Sequence, residues 1–183
     1  MLFRSKNPEG RLPVTYYRTS EELPEFTDYS MKGRTYRYMT NEALYPFGYG
    51  LSYTNFVYTD AKVSSPEVGD EGISVSVTLT NAGGREGTET VQAYVKADRE
   101  GTPNAQLKGI AKVSLKPGES REVTIKLPLA AFALYDEDAV NKAQAGSYTV
   151  FIGGSQPDSR SERLTGKETA KLQVEIRETV VLK

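Results

Sequence analysis

The sequence predicts an all-β protein, a two-sheet β-sandwich preceded by an irregular N-terminal extension. Two observations support this fold class. From residue 55 onward, apolar and polar residues alternate in short runs, which places one face of each strand on a core and the other in water. Before residue 55, prolines at positions 8, 13, 24 and 46 interrupt the chain, which leaves little room for long helices or strands.

The body of the chain contains about seven strand-like runs at a spacing of roughly ten residues. In the clearest run, residues 73–80, Ile, Val and Leu alternate with Ser and Thr. The runs are residues 56–63, 73–80, 91–95, 113–115, 123–127, 148–152 and 172–176. A sandwich of the immunoglobulin or fibronectin type III-like kind has this number of short strands. A barrel with a similar strand count stays open.

Turn-forming residues separate these runs. Residues 116–119 read Lys-Pro-Gly-Glu, which is the order that a type II turn requires. Residues 81–84 read Asn-Ala-Gly-Gly, and we expect positive φ angles there. Gly153 and Gly154 close another strand. Residues 130–134 predict a short helical turn, and no longer amphipathic helix is predicted in this part.

The N-terminal extension is rich in aromatic residues but poor in predicted structure. Residues 12–17 predict a short strand, and residues 20–23 predict one helical turn. The aromatic residues are Tyr16, Tyr17, Phe26, Tyr29, Tyr36, Tyr38, Tyr45, Phe47, Tyr49 and Tyr53. So many rings normally bury large areas, yet this stretch is too short to form a core of its own. We therefore predict that it packs on the sandwich, on another chain or on a further domain.

The composition excludes several classes of function. The chain has no His, Cys or Trp, so it lacks an imidazole base, a thiolate nucleophile, a disulfide and a zinc-cysteine site. Its 23 basic and 24 acidic residues nearly balance, so it has no electrostatic attraction to nucleic acid or to an anionic membrane. We predict no cofactor and no metal ligand set, and the sequence leaves the cellular compartment open.

Three motifs in the extension carry a resemblance to a known family. Residues 7–15 read NPEGRLPVT, residues 28–38 read DYSMKGRTYRY, and residues 44–56 read LYPFGYGLSYTNF. They resemble, in the same order, the segments that lead into the fibronectin type III-like domain of glycoside hydrolase family 3, in its β-glucosidase and β-xylosidase members. The last of the three resembles the signature that joins that domain to the domain before it.

The resemblance continues through the strand-rich body. The matching strings are VSVTLTNAG at residues 75–83, GTETVQAYV at 87–95, LKGIAKV at 107–113, LKPGES at 115–120 and GSYTVFIGG at 146–154. Any one of these strings is weak evidence, but eight strings in the family's order cover nearly the whole chain. The sequence is therefore identified as a C-terminal region of this family.

The resemblance implies a non-catalytic role for this chain. Members of the family use an Asp nucleophile in a (β/α)₈ barrel and a Glu acid/base in an α/β sandwich domain, and both belong to regions upstream of the motifs seen here. Residues 1–54 would be the tail of that α/β domain plus a linker, residues 55–178 the fibronectin type III-like domain, and residues 179–183 a C-terminal tail. The parent enzyme would hydrolyse terminal β-D-glucosyl or β-D-xylosyl residues with retention of configuration.

We assign no catalytic residue to this chain. Its local acidic groups, Glu25 with Asp28 and Asp136 with Glu137 and Asp138, are more readily explained as a solvated loop and a turn than as a catalytic pair. The predicted interface residues, which would contact the upstream catalytic domains, are Arg34, Tyr36, Arg37, Tyr38, Tyr45, Phe47, Tyr49 and Tyr53. As a hypothesis, Arg37 forms an ion pair with the upstream domain.

Several alternatives stay open on the sequence alone. The tyrosines can stack on sugar rings, in which case the chain is a free-standing carbohydrate-binding module with oligosaccharide as its partner. A structural sandwich that serves only as an interaction domain is the third function. The polar loop at residues 96–106 is either a solvated connector or an approach to the catalytic domains. In the isolated chain, we expect the N-terminal segment to be locally disordered, to dimerise or to swap between copies.

Overall fold

The computed structural model describes residues 6–182 and forms ten strands and two short helices. The strands are β1 (Phe56–Val63), β2 (Ile73–Asn81), β3 (Gly87–Ala97), β4 (Gln106–Leu115), β5 (Ser120–Leu127), β6 (Leu134–Tyr135), β7 (Asn141–Ala143), β8 (Gly146–Gly153), β9 (Ala170–Ile176) and β10 (Val180–Val181). The helices are α1 (Thr35–Tyr38) and α2 (Ser159–Thr165), and two 3₁₀ turns span Ser20–Glu22 and Leu129–Phe132.

Two antiparallel sheets face each other across one core. The first has the strand order β1-β2-β5, and the second has the order β4-β3-β8-β9. Side chains from both sheets fill the space between them; Val75, Leu79, Val91, Val150 and Ile152 are fully buried. The predicted all-β fibronectin type III-like sandwich with an irregular N-terminal extension is confirmed, and all seven predicted strands are present.

Strand β3 departs from the simple alternation of buried and exposed residues. The side chains of Gln92 and Tyr94 lie on the face opposite the core, yet both are buried. They are covered by the N-terminal extension, which packs on the outer face of the four-stranded sheet. The prediction that one face of each strand meets water is therefore wrong at β3, because a second layer lies on that face.

Of the two turns predicted from the sequence, one has the expected backbone conformation and the other does not. At residues 116–119, the Glu119 amide donates to the Lys116 carbonyl at 3.0 Å and Gly118 has a φ of 75°, as a type II turn requires. The expected positive φ at Gly83 and Gly84 is absent. Gly83 is needed for a different reason: a Cβ there would lie 2.1 Å from the Thr54 hydroxyl oxygen.

Some elements were not predicted from the sequence. Helix α2 begins after Asp158, whose carboxylate accepts from the amides of Arg160 and Ser161, and ends at Gly166, which adopts a left-handed conformation. Strands β6, β7 and β10 form a separate small sheet. The strand expected at residues 12–17 is wrong, since that segment contains only an isolated bridge between Tyr16 and Tyr45.

The outer edge of β9 is covered by the connection between β1 and β2. The Val68 amide donates to the Glu175 carbonyl at 2.9 Å, and the Glu175 amide donates to the Pro66 carbonyl at 2.9 Å. This connection therefore hydrogen-bonds to the margin of the opposite sheet, next to an isolated parallel bridge at Glu67.

Candidate interdomain interface

The N-terminal segment, here residues 6–54, is attached to the sandwich by a buried amide. Gln92 Nε2 donates to the carbonyl oxygens of Gly48 and Gly154, at 3.0 and 2.8 Å, and Gln92 Oε1 accepts from the Tyr94 hydroxyl at 2.6 Å. Gly48 has a φ of 77°, and a Cβ at this position would lie 2.3 Å from Gln92 Oε1. Only glycine therefore allows the segment to approach this amide so closely.

An aromatic cluster lies beside this amide. The rings of Tyr36 and Phe47 stack with centroids 4.1 Å apart, and Tyr36 meets the edge of Tyr94 at 6.5 Å. The Tyr36 hydroxyl accepts from the Leu107 amide at 3.2 Å, so the polar tip of this ring is satisfied as well. Burial raises the pKa of the Tyr94 hydroxyl, which therefore stays neutral as a donor to Gln92. The cluster forms a second, smaller core outside the sandwich.

The loop between β3 and β4 holds helix α1 in place. Asn104 Nδ2 donates to the carbonyls of Tyr36 and Met39, at 3.1 and 2.9 Å, and the Asn104 backbone amide donates to the Arg37 carbonyl at 2.8 Å. These three bonds satisfy carbonyls at the end of α1 that have no partner within so short a helix. Part of the polar loop at residues 96–106 thus binds the N-terminal segment of the same chain.

A buried ion pair forms the third attachment. The Arg11 guanidinium contacts the Glu89 carboxylate, and their side chains are only 11% and 5% exposed. Glu89 Oε1 also accepts from the Thr90 amide at 2.7 Å. Burial raises the pKa of Glu89, and the neighbouring Arg11 and the Thr90 hydrogen bond only partly offset this effect. Both residues lie within family-like motifs, but nothing in their sequence positions indicates that they pair.

The opposite face of the N-terminal segment points away from the sandwich. Tyr45 stacks on Tyr49 with centroids 5.9 Å apart, and Tyr16 meets Tyr45 edge-on at 6.3 Å. Phe26 and Tyr29 are 93% and 90% exposed. The other large apolar side chains exposed on this segment are Val14, Leu23, Met31, Tyr38, Leu44, Leu51 and Tyr53. Monomeric proteins seldom expose so much apolar surface in one region.

Arg34 shapes the loop that carries Phe26 and Tyr29. Its guanidinium donates to the carbonyls of Asp28, Ser30 and Glu25, at 2.6, 3.1 and 3.2 Å. An arginine that binds three carbonyls of one loop fixes the curvature of that loop. Arg34 thereby presents the apolar side chains of this stretch outward.

The eight predicted interface residues fall into four groups. Tyr36 and Phe47 come together against the sandwich of the same chain, whereas the exposed Tyr45 stacks on the half-buried Tyr49. Arg34 supports its own loop. The remaining three, whose side chains are exposed, are Arg37, Tyr38 and Tyr53. A role for these residues in binding an upstream domain stays a prediction, as does the ion pair expected of Arg37, whose guanidinium lies 5.9 Å from the centre of the Tyr36 ring.

Sequence reasoning missed the residues on the sandwich side of this contact, namely Glu89, Gln92, Tyr94 and Asn104. A signal was present for Glu89, which shares the core-facing side of β3 with Val91, Ala93 and Val95. A charged side chain on the core-facing side of a strand indicates a buried polar partner.

The acidic groups considered from the sequence serve local structure. Asp28 Oδ1 accepts from the Ser30 amide at 2.8 Å. Asp136 pairs with Lys142 and accepts from the Val140 amide at 2.8 Å, and these contacts lower its pKa, with Lys142 the largest cause. Within residues 6–182, no cluster of three or more potential metal-binding side chains occurs, and no helix is long and apolar enough to cross a membrane.

Comparison with protein families gives two matches. The glycosyl hydrolase family 3 C-terminal domain matches residues 1–53, and the fibronectin type III-like domain matches residues 89–156. The two matches lie on either side of the contact described above.

Curated relatives match most of this chain. A xylan 1,4-beta-xylosidase of Xylanibacter ruminicola is 39% identical over 90% of the chain, and a periplasmic beta-glucosidase of Salmonella typhimurium is 36% identical over 84%. The matched regions are 19% and 22% of these relatives, so the chain spans about a fifth of their length.

Solved structures show the same arrangement. The beta-glucosidase 3B of Thermotoga neapolitana, solved with alpha-D-glucose, superimposes with a TM-score of 0.81 at 33% identity, over 97% of this chain and 26% of that one. The beta-glucosidase of Kluyveromyces marxianus gives 0.80 at 28% identity, over 100% and 22%. The likeness therefore includes the N-terminal segment as well as the sandwich.

Proposed function

Because the chain belongs to the C-terminal region of glycoside hydrolase family 3, we propose that it completes a retaining β-glycosidase by packing on the domains that carry the catalytic carboxylates. In this proposal, residues 1–54 are the tail of the α/β domain plus the linker, residues 55–178 are the accessory sandwich, and residues 179–183 are a tail. The accessory role contributes no reacting group.

One observation carries this proposal: the N-terminal segment has two different faces. Tyr36 and Phe47 pack against the sandwich, while Phe26 and Tyr29 on the other side are almost fully exposed. Apolar rings fixed in an ordered loop by Arg34 have the character of a surface that is buried in a larger assembly. The upstream catalytic domains, in the same or in a companion polypeptide, are the partner that this surface fits.

The proposal is tested by reconstitution. The upstream domains are expressed alone, with this chain, or with its Phe26→Asp/Tyr29→Asp variant, and aryl β-glucoside and β-xyloside hydrolysis is measured. We expect this chain to bind the upstream domains and to restore their activity, and the double variant to fail. Ile110→Asp, which changes an exposed apolar residue on β4, is the matched control and should bind normally.

Two results would contradict the proposal. Upstream domains that are equally stable and active without this chain would remove the accessory role. Hydrolysis by the purified chain alone, abolished by changing one of its own carboxylates, would make the chain itself an enzyme.

We propose that the parent acts on terminal β-D-glucosyl or β-D-xylosyl residues. The support is the naming of the relatives, which include both beta-glucosidases and beta-xylosidases. Because the sugar pocket of a parent enzyme would lie in its catalytic domains, the choice between the two sugars is measured with the reconstituted protein.

A cleft on the sandwich supports a second candidate, the binding of oligosaccharide. The cleft has a volume of about 630 Å³, and its lining includes Tyr38, Tyr135, Arg99 and Gln106. Tyr135 is 73% exposed, and an exposed tyrosine can stack on the apolar face of a sugar ring. Titration of the chain with xylo- and cello-oligosaccharides tests this candidate, and binding should be lost in Tyr135→Ala.

A further inference from the structure

A polar cavity lies next to the buried ion pair. It has a volume of about 190 Å³ and lies between the N-terminal segment, β1, β3 and the connection from α2 to β9. Each of these elements contributes a polar side chain to its lining: Arg11, Tyr58, Glu89, Lys167 and Thr169. Tyr49 and Leu51 of the N-terminal segment also border this cavity.

Three groups that can donate a hydrogen bond lie unpaired at this cavity. The Tyr58 hydroxyl, Arg11 Nε and the Thr169 hydroxyl are buried, and none has a hydrogen-bond partner among residues 6–182. Buried polar groups in proteins are nearly always paired, so three unpaired donor groups on one cavity indicate a bound acceptor. Glu89 Oε1 already accepts from Arg11 and the Thr90 amide, and neither oxygen of Glu89 accepts from any of these three groups.

The charges of the lining also favour an anion. Lys167 forms no ion pair within the described part of the chain, and it is only partly exposed. Burial lowers the pKa of Lys167, and the neighbouring Arg11 adds to this effect against the opposing influence of Glu89. Two cations therefore share the interior of the cavity with one carboxylate. Glu168 also lines the cavity but is exposed to water, which screens its charge.

We propose that this cavity binds a small tetrahedral oxyanion of the phosphate or sulfate class, with oxygens that accept from Lys167, Tyr58 and Arg11 Nε. The donors belong to separate elements around the cavity, and an anion with four oxygens can accept from several directions at once. The volume of about 190 Å³ admits such an ion together with bound water. It is smaller than the roughly 300 Å³ at which pockets for larger organic ligands begin.

Inorganic phosphate titrated into the 183-residue chain tests the proposal. Backbone amide NMR signals are followed, with sodium chloride at matched ionic strength as the reference. We expect saturable changes in the amide chemical shifts of Gly154, Lys167 and Thr169, which line the cavity. Chemical-shift changes that are the same in phosphate and in chloride, or that spread over the surface lysines, would overturn the proposal from the wild-type titration alone.

Two variants and a matched control locate the site. Lys167→Gln should weaken phosphate binding by about tenfold, as expected for the loss of one charge-assisted hydrogen bond, and Tyr58→Phe by about threefold. Lys126→Gln makes the same change of charge at an exposed position on β5 and should leave the affinity unchanged. Equal affinities for Lys167→Gln and Lys126→Gln would reject the site.

An acetate titration tests the tetrahedral class. A planar carboxylate offers two oxygens instead of four and should bind at least several-fold more weakly than phosphate or sulfate. Acetate binding as tight as phosphate binding would overturn the assignment to a tetrahedral ion.

Discussion

At the scale of single residues, polar groups within β3 decide how the N-terminal segment is attached. Gln92 makes one hydrogen bond to Gly48, one to Gly154 and one to Tyr94, so each of its polar atoms is satisfied. A buried amide whose bonds are directional permits one placement of the segment, whereas an apolar contact would tolerate several. The amide therefore contributes specificity as well as stability.

The first prediction concerns the closest approach in this contact. Gly48→Ala should lower the free energy of unfolding by about 2 kcal/mol or more, because it combines a positive φ with a clash against Gln92. Urea denaturation measures this change. Gly84→Ala is the matched control, since no atom lies within 4 Å of its Cβ position, and it should change the stability by less than about 0.5 kcal/mol.

The second prediction concerns the pH dependence that Glu89 confers. Because burial raises its pKa above the ordinary value of 4.5, the folded state retains a proton that the unfolded chain has released. The stability that wild type has relative to Glu89→Gln should therefore fall as the pH rises from about 4.5 through the folded pKa, by at most about 1.4 kcal/mol per pH unit.

Urea denaturation of wild type and Glu89→Gln between about pH 4.5 and 8 measures this difference. A relative stability of wild type that rises with pH would show that Arg11 outweighs burial and that the pKa of Glu89 is lowered instead.

At the scale of elements, the strands were predictable and the additions to them were not. The alternation in residues 73–80 depends only on a two-sided sheet, so the sequence is sufficient to locate β2. Helix α2 has only seven residues, and its signals were two end residues, Asp158 and Gly166. Strands β6, β7 and β10 are two or three residues long, which is too short for a periodic pattern.

The candidate interface was partly predictable for a related reason. The density of tyrosines indicated a packing surface, but sequence spacing does not say which ring faces the sandwich and which faces outward. That division depends on long-range contacts, such as that of Tyr36 with Leu107 and that of Gly48 with Gln92. Gly83 shows the same limit, because its requirement arises from Thr54, which is distant in sequence.

The third prediction concerns the docking of α1. Tyr36→Ala removes the ring that stacks on Phe47 and contacts Tyr94, and it should cost about 3 kcal/mol. Hydrogen exchange should show that residues 6–54 lose protection while the strands of the sandwich keep theirs. Tyr53→Ala is the control at an exposed ring, and uniform loss of protection in Tyr36→Ala would show that the two parts unfold as one unit.

At the scale of the whole molecule, the chain combines a complete sandwich with an N-terminal segment that packs on it through only one face. The sandwich has a continuous core from Phe56 to Ile176, so we expect it to fold without a partner. The outward face of the N-terminal segment has no such support within the described residues. Stability should therefore be distributed unevenly along the chain.

The fourth prediction follows from this uneven support. In the isolated chain, residues 18–34 should exchange their amide hydrogens quickly, and the exposed rings should promote a homodimer or a swap of segments between copies. Sedimentation as a function of concentration measures the association, and Phe26→Ser/Tyr29→Ser should reduce it. A strictly monomeric chain with strong protection throughout residues 7–44 would contradict this expectation.

The hydrogen bonds at the outer edge of β9 affect how readily this domain can aggregate through strand addition. A sheet margin whose amides and carbonyls are already engaged cannot template the addition of a foreign strand. Pro66 and Val68 engage Glu175 at the outer edge of β9, so within the four-stranded sheet we expect strand addition at the opposite edge, β4. Lys108 and Lys112 lie on β4. Their positive charges would repel the same lysines of a second copy paired in register, which disfavours fibril growth at this edge.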